Sequence, residues 1–170
     1  MKVLGLDPGY GRLGYGVVEA RGSAWILLEA GVVETPAKSA FEQRLLAVAE
    51  GVKALVLRHQ PGEAALETLY FSKNAKTAMQ VAEARGVIRL ALAKSGVEAL
   101  EVSPNAVKLA LTGDGKADKG QVTRMVTRLL GLASAPKPDD AADAVALALT
   151  ALRSQPLRRR LALTKGRARP

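Results

Sequence analysis

The chain has no cysteine and one histidine, His59. Without thiols there is no disulfide, no thiolate nucleophile and no cysteine-based zinc site. One histidine excludes a multi-histidine metal centre. His59 stands just before Gln60-Pro61-Gly62, at the expected end of a helix, and that position suits a structural or surface role. Long apolar runs are also missing. The longest unbroken one, Ala144 to Leu149, is far too short to cross a bilayer. Lys2 is followed by only a short apolar stretch before Asp7, which is not the pattern of a signal peptide. The chain reads as cytoplasmic, and any catalysis must rest on carboxylates or lysines.

What is present points to one domain with a proper core. The 170 residues are 48% apolar and 24% charged, ordinary values for a globular protein. The formal net charge is +9, which favours polyanions and salt-sensitive association. Arg158, Arg159, Arg160, Lys165, Arg167 and Arg169 supply six of those charges with no acid among them. The excess is therefore only partly intrinsic to the body.

Four acids stand where a soluble chain seldom puts them. Asp7 ends the apolar run Val3-Leu4-Gly5-Leu6, and Glu67 ends Ala64-Ala65-Leu66. Asp140 and Asp143 open a helix that is otherwise almost wholly Ala, Val and Leu. Carboxylates are rarely buried unless paired or bound to a metal. Taken singly, each has a plain explanation: a turn aspartate before Pro-Gly, a strand-end surface acid, a helix cap. Asp139 reads as a cap. Asp143 lies one turn further in, where capping accounts for it poorly.

The pattern predicts strands at Lys2 to Leu6, Tyr15 to Glu19 and Ala24 to Glu34, with a turn beginning at Asp7-Pro8-Gly9. A helix follows over Phe41 to His59, then a strand over Glu63 to Glu67. Next come a helix over Asn74 to Lys94 and a strand over Val97 to Val102. The second helix carries the small residues Ala75, Ala78, Ala82 and Gly86 on what reads as its inner face. Pro104 suits the first turn of another helix. Thr112 to Lys116 reads as a flexible loop, Lys119 to Leu130 as a helix, Ala135 to Pro138 as a stiff linker and Asp139 to Arg153 as the last helix. From Pro156 onward the chain is basic and poor in apolar anchors, so disorder is expected there. The fold class is α/β: a five-stranded mixed sheet, three antiparallel strands then parallel ones, with helices on both faces. Asp7 and Glu67 would end neighbouring strands, and the last helix would bring Asp140 and Asp143 to the same edge.

Asp140 and Asp143, three residues apart, project from one helical face. Carboxylates gathered this way repel unless cations lie between them, and hard oxygen ligands suit Mg²⁺ or Mn²⁺. Two such ions can activate a water and stabilise the leaving oxygen of a phosphoryl displacement, which needs no histidine base. Lys108, Lys116 and Lys119 read either as phosphate contacts or as an ordinary solvated face. Arg124 lies with Arg128 on the outer face of its helix. Tyr70-Phe71, before Ser72-Lys73-Asn74, reads either as a base-stacking pair or as a loop anchor.

Several ordered pieces of the chain match one known family: Gly5-Leu6-Asp7-Pro8-Gly9, Leu66-Glu67 with Lys73-Asn74, Ala84-Arg85-Gly86-Val87, Val107-Lys108, Gly113 to Lys119, and Asp140-Ala141-Ala142-Asp143-Ala144. In this order and spacing, up to about Arg153, the chain resembles the bacterial RuvC family of Holliday-junction resolvases, in the ribonuclease H-like superfamily. The resemblance implies a nuclease domain over residues 1–155 and a basic tail over 156–170. It implies a homodimeric, Mg²⁺-dependent endonuclease that cuts two opposed strands of a four-way DNA junction. By motif position Asp7, Glu67, Asp140 and Asp143 fall on the family's metal-binding acids. Lys108 and Lys119 fall on its functional lysines. Tyr70 takes the place of a junction-probing aromatic, where phenylalanine is common. Lys73, Lys116 and Arg124 would add DNA contacts. The implied partners are a second copy of the chain, through the small-residue helix, and the RuvA–RuvB branch-migration complex.

Three other readings compete. An actin-like or sugar-kinase-like ATPase shares the opening Asp-Pro-Gly pattern, but the chain is too short for two lobes. A YqgF-type relative would act on RNA. A non-catalytic DNA-binding module leaves the four acids without a purpose.

Overall fold

The computed structural model describes residues 1–9, 11–35, 38–68 and 75–166. The elements are β1 (Lys2–Pro8), β2 (Arg12–Arg21), β3 (Ala24–Glu34), α1 (Phe41–His59), β4 (Glu63–Glu67), α2 (Ala75–Lys94), β5 (Ala99–Val102), α3 (Pro104–Thr112), α4 (Lys119–Leu129) and α5 (Asp139–Gly166). The strands form one sheet in the order β3-β2-β1-β4-β5. β1 and β2, and β2 and β3, are antiparallel. β1 and β4, and β4 and β5, are parallel. This is the expected mixed five-stranded sheet.

Strand alternation divides the interior into two cores. Leu4, Leu6, Leu13, Val17, Ala64 and Leu66 pack with Val48, Val52, Leu55, Ile88 and Leu92, residues of α1 and α2. Val3, Val18, Ala65 and Val102 pack on the other face with α3, α4 and α5. α5 is the central helix of that face. It is buried along nearly all of Ala141 to Leu152, which explains why its sequence is apolar on every side.

α5 lies unusually close to the sheet because glycines face it. A Cβ built on Gly5 would fall 1.9 Å from the Ala144 carbonyl oxygen, and one on Gly14 2.2 Å from that of Asp140. No side chain fits there. The helix backbone therefore rests on β1 and β2, and the start of α5 is fixed against the end of β1.

The structure corrects four expectations. No turn begins at Asp7: β1 continues through Pro8, with Asp7 opposite Gly14 and Pro8 opposite Leu13. Pro8 sits at the strand's last residue, where its missing N–H is tolerated. The second helix does not turn Ala82 and Gly86 inward. Ala84, Ile88 and Leu92 are its buried stripe, while Ala82 and Gly86 are exposed. The last helix does not end at Arg153, and disorder does not begin at Pro156, because α5 runs through Pro156 to Gly166. Arg158 bridges the proline. Its Nη2 donates to the Ala151 carbonyl at 3.1 Å and to Glu63 Oε1 at 2.7 Å, and its Nε donates to Ser154 Oγ at 3.2 Å.

His59 ends α1 and takes a structural place. Its Nε2 lies 2.7 Å from Glu29 Oε2, and Tyr15 Oη donates to Glu29 Oε1 at 2.7 Å. Arg58 completes the cluster. Their hydrogen bonds hold the Glu29 carboxyl below its usual range, with Tyr15 the largest cause.

Candidate active site

The β1–β4 register pairs Leu6 with Leu66, so the next residues along are Asp7 and Glu67. Alternation puts Asp7 on the face of Val3, and Glu67 on the face of Ala65, which is the side that α5 covers. α5 begins over these strand ends, since Gly14 lies opposite Asp7 and against the backbone of Asp140. The four acids thus come from three elements and meet at one sheet edge.

Their proximity shows in their electrostatics. Burial raises the Asp7 carboxyl from 3.8 to about 7, and Glu67, Asp143 and Asp140 push it further the same way, while Lys119 opposes them. Glu67 is raised by burial first and by Asp143 second. An acid whose pKa is raised toward neutrality by burial, and further by neighbouring carboxylates, is a group that binds a cation in exchange for a proton.

Two basic side chains engage the acids from opposite sides. Lys119 is the first residue of α4, whose start is fixed by a reciprocal cap between Asp118 and Gln121. From there its Nζ donates to Asp143 Oδ2 at 2.9 Å and lies 3.3 Å from Asp139 Oδ2. The bond to Asp143 is the largest influence raising the Lys119 pKa. On the other side, Arg12 Nε lies 2.5 Å from Asp140 Oδ2. That oxygen is buried, and it has no hydrogen bond of proper geometry. The pair is an ion contact rather than an aligned bond. Among the described residues no three acids are gathered closely enough to share one ion as they stand, as expected where like charges repel and two of the acids lean toward basic groups.

Two clefts flank the acids. A cleft of about 220 Å³ is lined by Glu67, Lys108, Lys119 and Asp143, over an apolar floor that includes Val107 and Leu147. A wider one, about 530 Å³, is lined by Gly9, Gly11, Arg12, Glu34, Thr35 and Asp140. Lys108 and Lys119 are therefore brought to the acids. Lys116 and Arg124 are exposed. Arg124 lines a separate shallow groove with Arg128, Gln121 and Thr112. Tyr70 and Lys73 lie outside the described residues.

Two residues of this region have no counterpart in the sequence reading. Arg12 was legible only through alternation: it shares the α5-facing side of β2 with Gly14 and Gly16. Arg85 belongs to a quoted motif, but its contact could not be foreseen. It reaches from α2, and its Nε donates to the Glu67 main-chain oxygen at 3.2 Å. Its Nη2 lies 2.8 Å from Glu101 on β5.

The donor set suits a hard divalent cation: four carboxylates, no thiol, and no imidazole in either flanking cleft.

The chain as a whole is similar to known proteins. The family model described as "Crossover junction endodeoxyribonuclease RuvC" matches residues 3–151. The protein of that name from Gloeobacter violaceus is 52% identical over 151 residues, covering 88% of this chain and 87% of its own. The one from Petrotoga mobilis is 48% identical over 148 residues, covering 87% and 91%. Thermus thermophilus RuvC in complex with Holliday junction substrate superposes with a TM-score of 0.88 at 35% identity, covering 92% of this chain and 96% of that one. The yeast mitochondrial Holliday junction resolvase Ydc2, 13% identical with a TM-score of 0.65, shares the fold. On the ordered motifs, the family match and the common architecture, this chain belongs to the RuvC family of crossover junction endodeoxyribonucleases.

Proposed function

We propose that the chain binds four-way (Holliday) junction DNA as a homodimer and nicks two opposed strands symmetrically by two-metal-ion hydrolysis, in recombination and repair. The observation that carries this reading is the Asp7 carboxyl, whose burial on a sheet edge, beside three further acids from β4 and α5 that push the same way, raises its pKa to about 7. Asp7, Glu67, Asp140 and Asp143 would hold Mg²⁺, with Mn²⁺ able to substitute. Bound there, the ions supply an activated water and charge neutralisation at the leaving oxygen. Lys119 holds Asp143 in place and offers a positive charge beside the reacting phosphate. Lys108 contributes a second charge from the same cleft. Lys116 and Arg124 act as phosphate contacts further out; Lys73 would add another, and Tyr70 a stacking group.

The exposed face of α2 supports the dimer. Gly86 has open space where a side chain would begin, and Met79 and Leu90 are 66% and 56% exposed. A two-fold dimer through this face would present two sites to a two-fold junction. Residues 1–155 would form the nuclease domain and 156–170 a basic extension of it. RuvA–RuvB is the partner complex that this reading implies, and the cytoplasm its location. Among the described residues no helix is long and apolar enough to cross a membrane.

The test is cleavage of a synthetic four-way junction beside a matched linear duplex, with Mg²⁺ and with EDTA, for the native chain and Asp7→Asn. Paired nicks on the junction alone, lost with EDTA and with Asp7→Asn, are expected. Tight binding with no cutting in Mg²⁺ or Mn²⁺ would point instead to a binding module, or to a different nucleic acid.

A further inference from the structure

The geometry points to Arg12 as a switchable counter-ion. It competes with the metal for Asp140, and once displaced it binds a DNA phosphate in the cleft beside it. This inference rests on the metal-site reading above.

Three observations carry it. First, Arg12 Nε and Asp140 Oδ2 are 2.5 Å apart, yet the contact lacks hydrogen-bond geometry. A guanidinium held by charge alone is easily displaced. A dication drawn to Asp140 Oδ2 repels the guanidinium 2.5 Å from that oxygen, so the two compete for it. Second, the Arg12 side chain is 52% exposed and that of Asp140 26%. The Asp140 oxygen is buried, but the guanidinium approaches it from the exposed side and can swing into solvent when a cation takes its place. Third, Arg12 lines the cleft of about 530 Å³ that runs from Asp140 along Gly9, Gly11 and Thr35. Among the described residues its only acid there besides Asp140 is Glu34. The glycines leave backbone close to the surface, where a phosphate can approach. This cleft lies opposite the one that Lys108 and Lys119 line, so a strand crossing the acids would meet a positive charge on each side.

Arg12 then serves two purposes in sequence. It neutralises Asp140 while no cation holds it, and it contributes a phosphate contact when one does. A residue fixed as a permanent structural partner of Asp140 would behave differently, because its removal would misplace the carboxylate and weaken metal binding.

The experiment measures Mn²⁺ binding to the full chain without DNA, by electron paramagnetic resonance, for the native protein, Arg12→Gln, Arg12→Lys and Asp7→Asn. Thermal melting in EDTA checks that each variant folds. Arg12→Gln should bind Mn²⁺ roughly two- to fivefold more tightly, the range that a half-exposed ion pair allows. Arg12→Lys should stay near the native value. Unchanged or weaker Mn²⁺ binding by folded Arg12→Gln overturns the proposal. Absence of any Mn²⁺ site that Asp7→Asn removes would overturn the metal reading itself, and this inference with it.

A second arm reads the phosphate contact. Junction binding is followed by stopped flow before the first turnover, at several salt concentrations. With Mg²⁺, Arg12→Gln should lower the steepness of the log–log salt dependence by about one ion. In EDTA the change should be clearly smaller. Equal changes in both conditions overturn the hand-over.

Discussion

Arg85 fixes Glu67 by its backbone rather than by its carboxylate. The guanidinium donates to the Glu67 carbonyl at 3.2 Å and holds Glu101, on the neighbouring strand, at 2.8 Å. Arg89 engages the same Glu101 oxygen. A helix on one face of the sheet thereby sets where β4 ends on the other. The Glu67 carboxylate is left free of the arginine, available to a cation.

Replacing Arg85 by Met should therefore cost both stability and metal affinity. The arginine side chain is only 15% exposed, but Glu101 is 44% exposed and keeps Arg89. The loss should be about 1–3 kcal/mol, measured by denaturant unfolding. Mn²⁺ affinity should fall together with it. Unaltered Mn²⁺ affinity would show that the Glu67 backbone needs no such anchor.

Asp7 predicts an inverted pH dependence. Its pKa rises from 3.8 to about 7 on folding, chiefly through burial. The folded state therefore prefers the protonated acid. That stabilisation is complete below about pH 4 and is lost as the pH rises through about 7, by at most about 4 kcal/mol. In EDTA, Asp7→Asn should melt higher than the native chain near pH 8 and gain no such advantage near pH 4. Excess Mg²⁺ should remove most of the difference. Parallel melting curves of the two proteins across this range would contradict the burial of a shared acid cluster.

Lys119→Ala should lower kcat on the order of 10²-fold while changing junction affinity far less. Its ammonium lies on Asp143 at 2.9 Å, within the cluster of acids. Equal losses in rate and affinity would make it a plain phosphate contact.

Gly14→Ala tests the close seat of α5. The added carbon would fall 2.2 Å from the Asp140 carbonyl oxygen, so the helix start must move. The expected cost is about 2 kcal/mol or more. Cleavage should fall further than the unfolded fraction explains, because Asp140 moves with its backbone. Normal activity in the folded fraction would show that the helix tolerates the shift.

Gly86→Ala acts in the opposite sense. Nothing lies within 4 Å of the added carbon, and alanine favours a helix over glycine by about 0.5–1 kcal/mol. The monomer should gain roughly that much. Gly86→Phe should weaken dimerisation in sedimentation if α2 is the contact face, and a dimer that persists unchanged would move the interface elsewhere.

Much of the site was legible because strands impose a period of two. A strand that ends in an acid after buried aliphatics must aim that acid along a core face, so Asp7 and Glu67 followed from their own runs. The helix Asp139 onward gave Asp140 and Asp143 by the same logic at a spacing of three. The second helix misled because alanine and glycine carry no strong preference for inside or outside. Ile88 and Leu92 decided the matter, and Ala82 and Gly86 were left facing out. Pro156 misled in another way. It removes one helical donor, but Arg158 supplies its own contacts to Ala151 and to Glu63 across the break.

The sequence by itself determined the mixed sheet and the strand ends and helix start that carry the four acids, because hydrophobic period is a local property. Only the tertiary structure decided that Arg12 faces Asp140, that Arg85 holds the Glu67 backbone, and that α5 can rest on Gly5 and Gly14. Those contacts join residues far apart in the chain. They depend on side-chain reach and on the distance between packed elements, which no local pattern encodes.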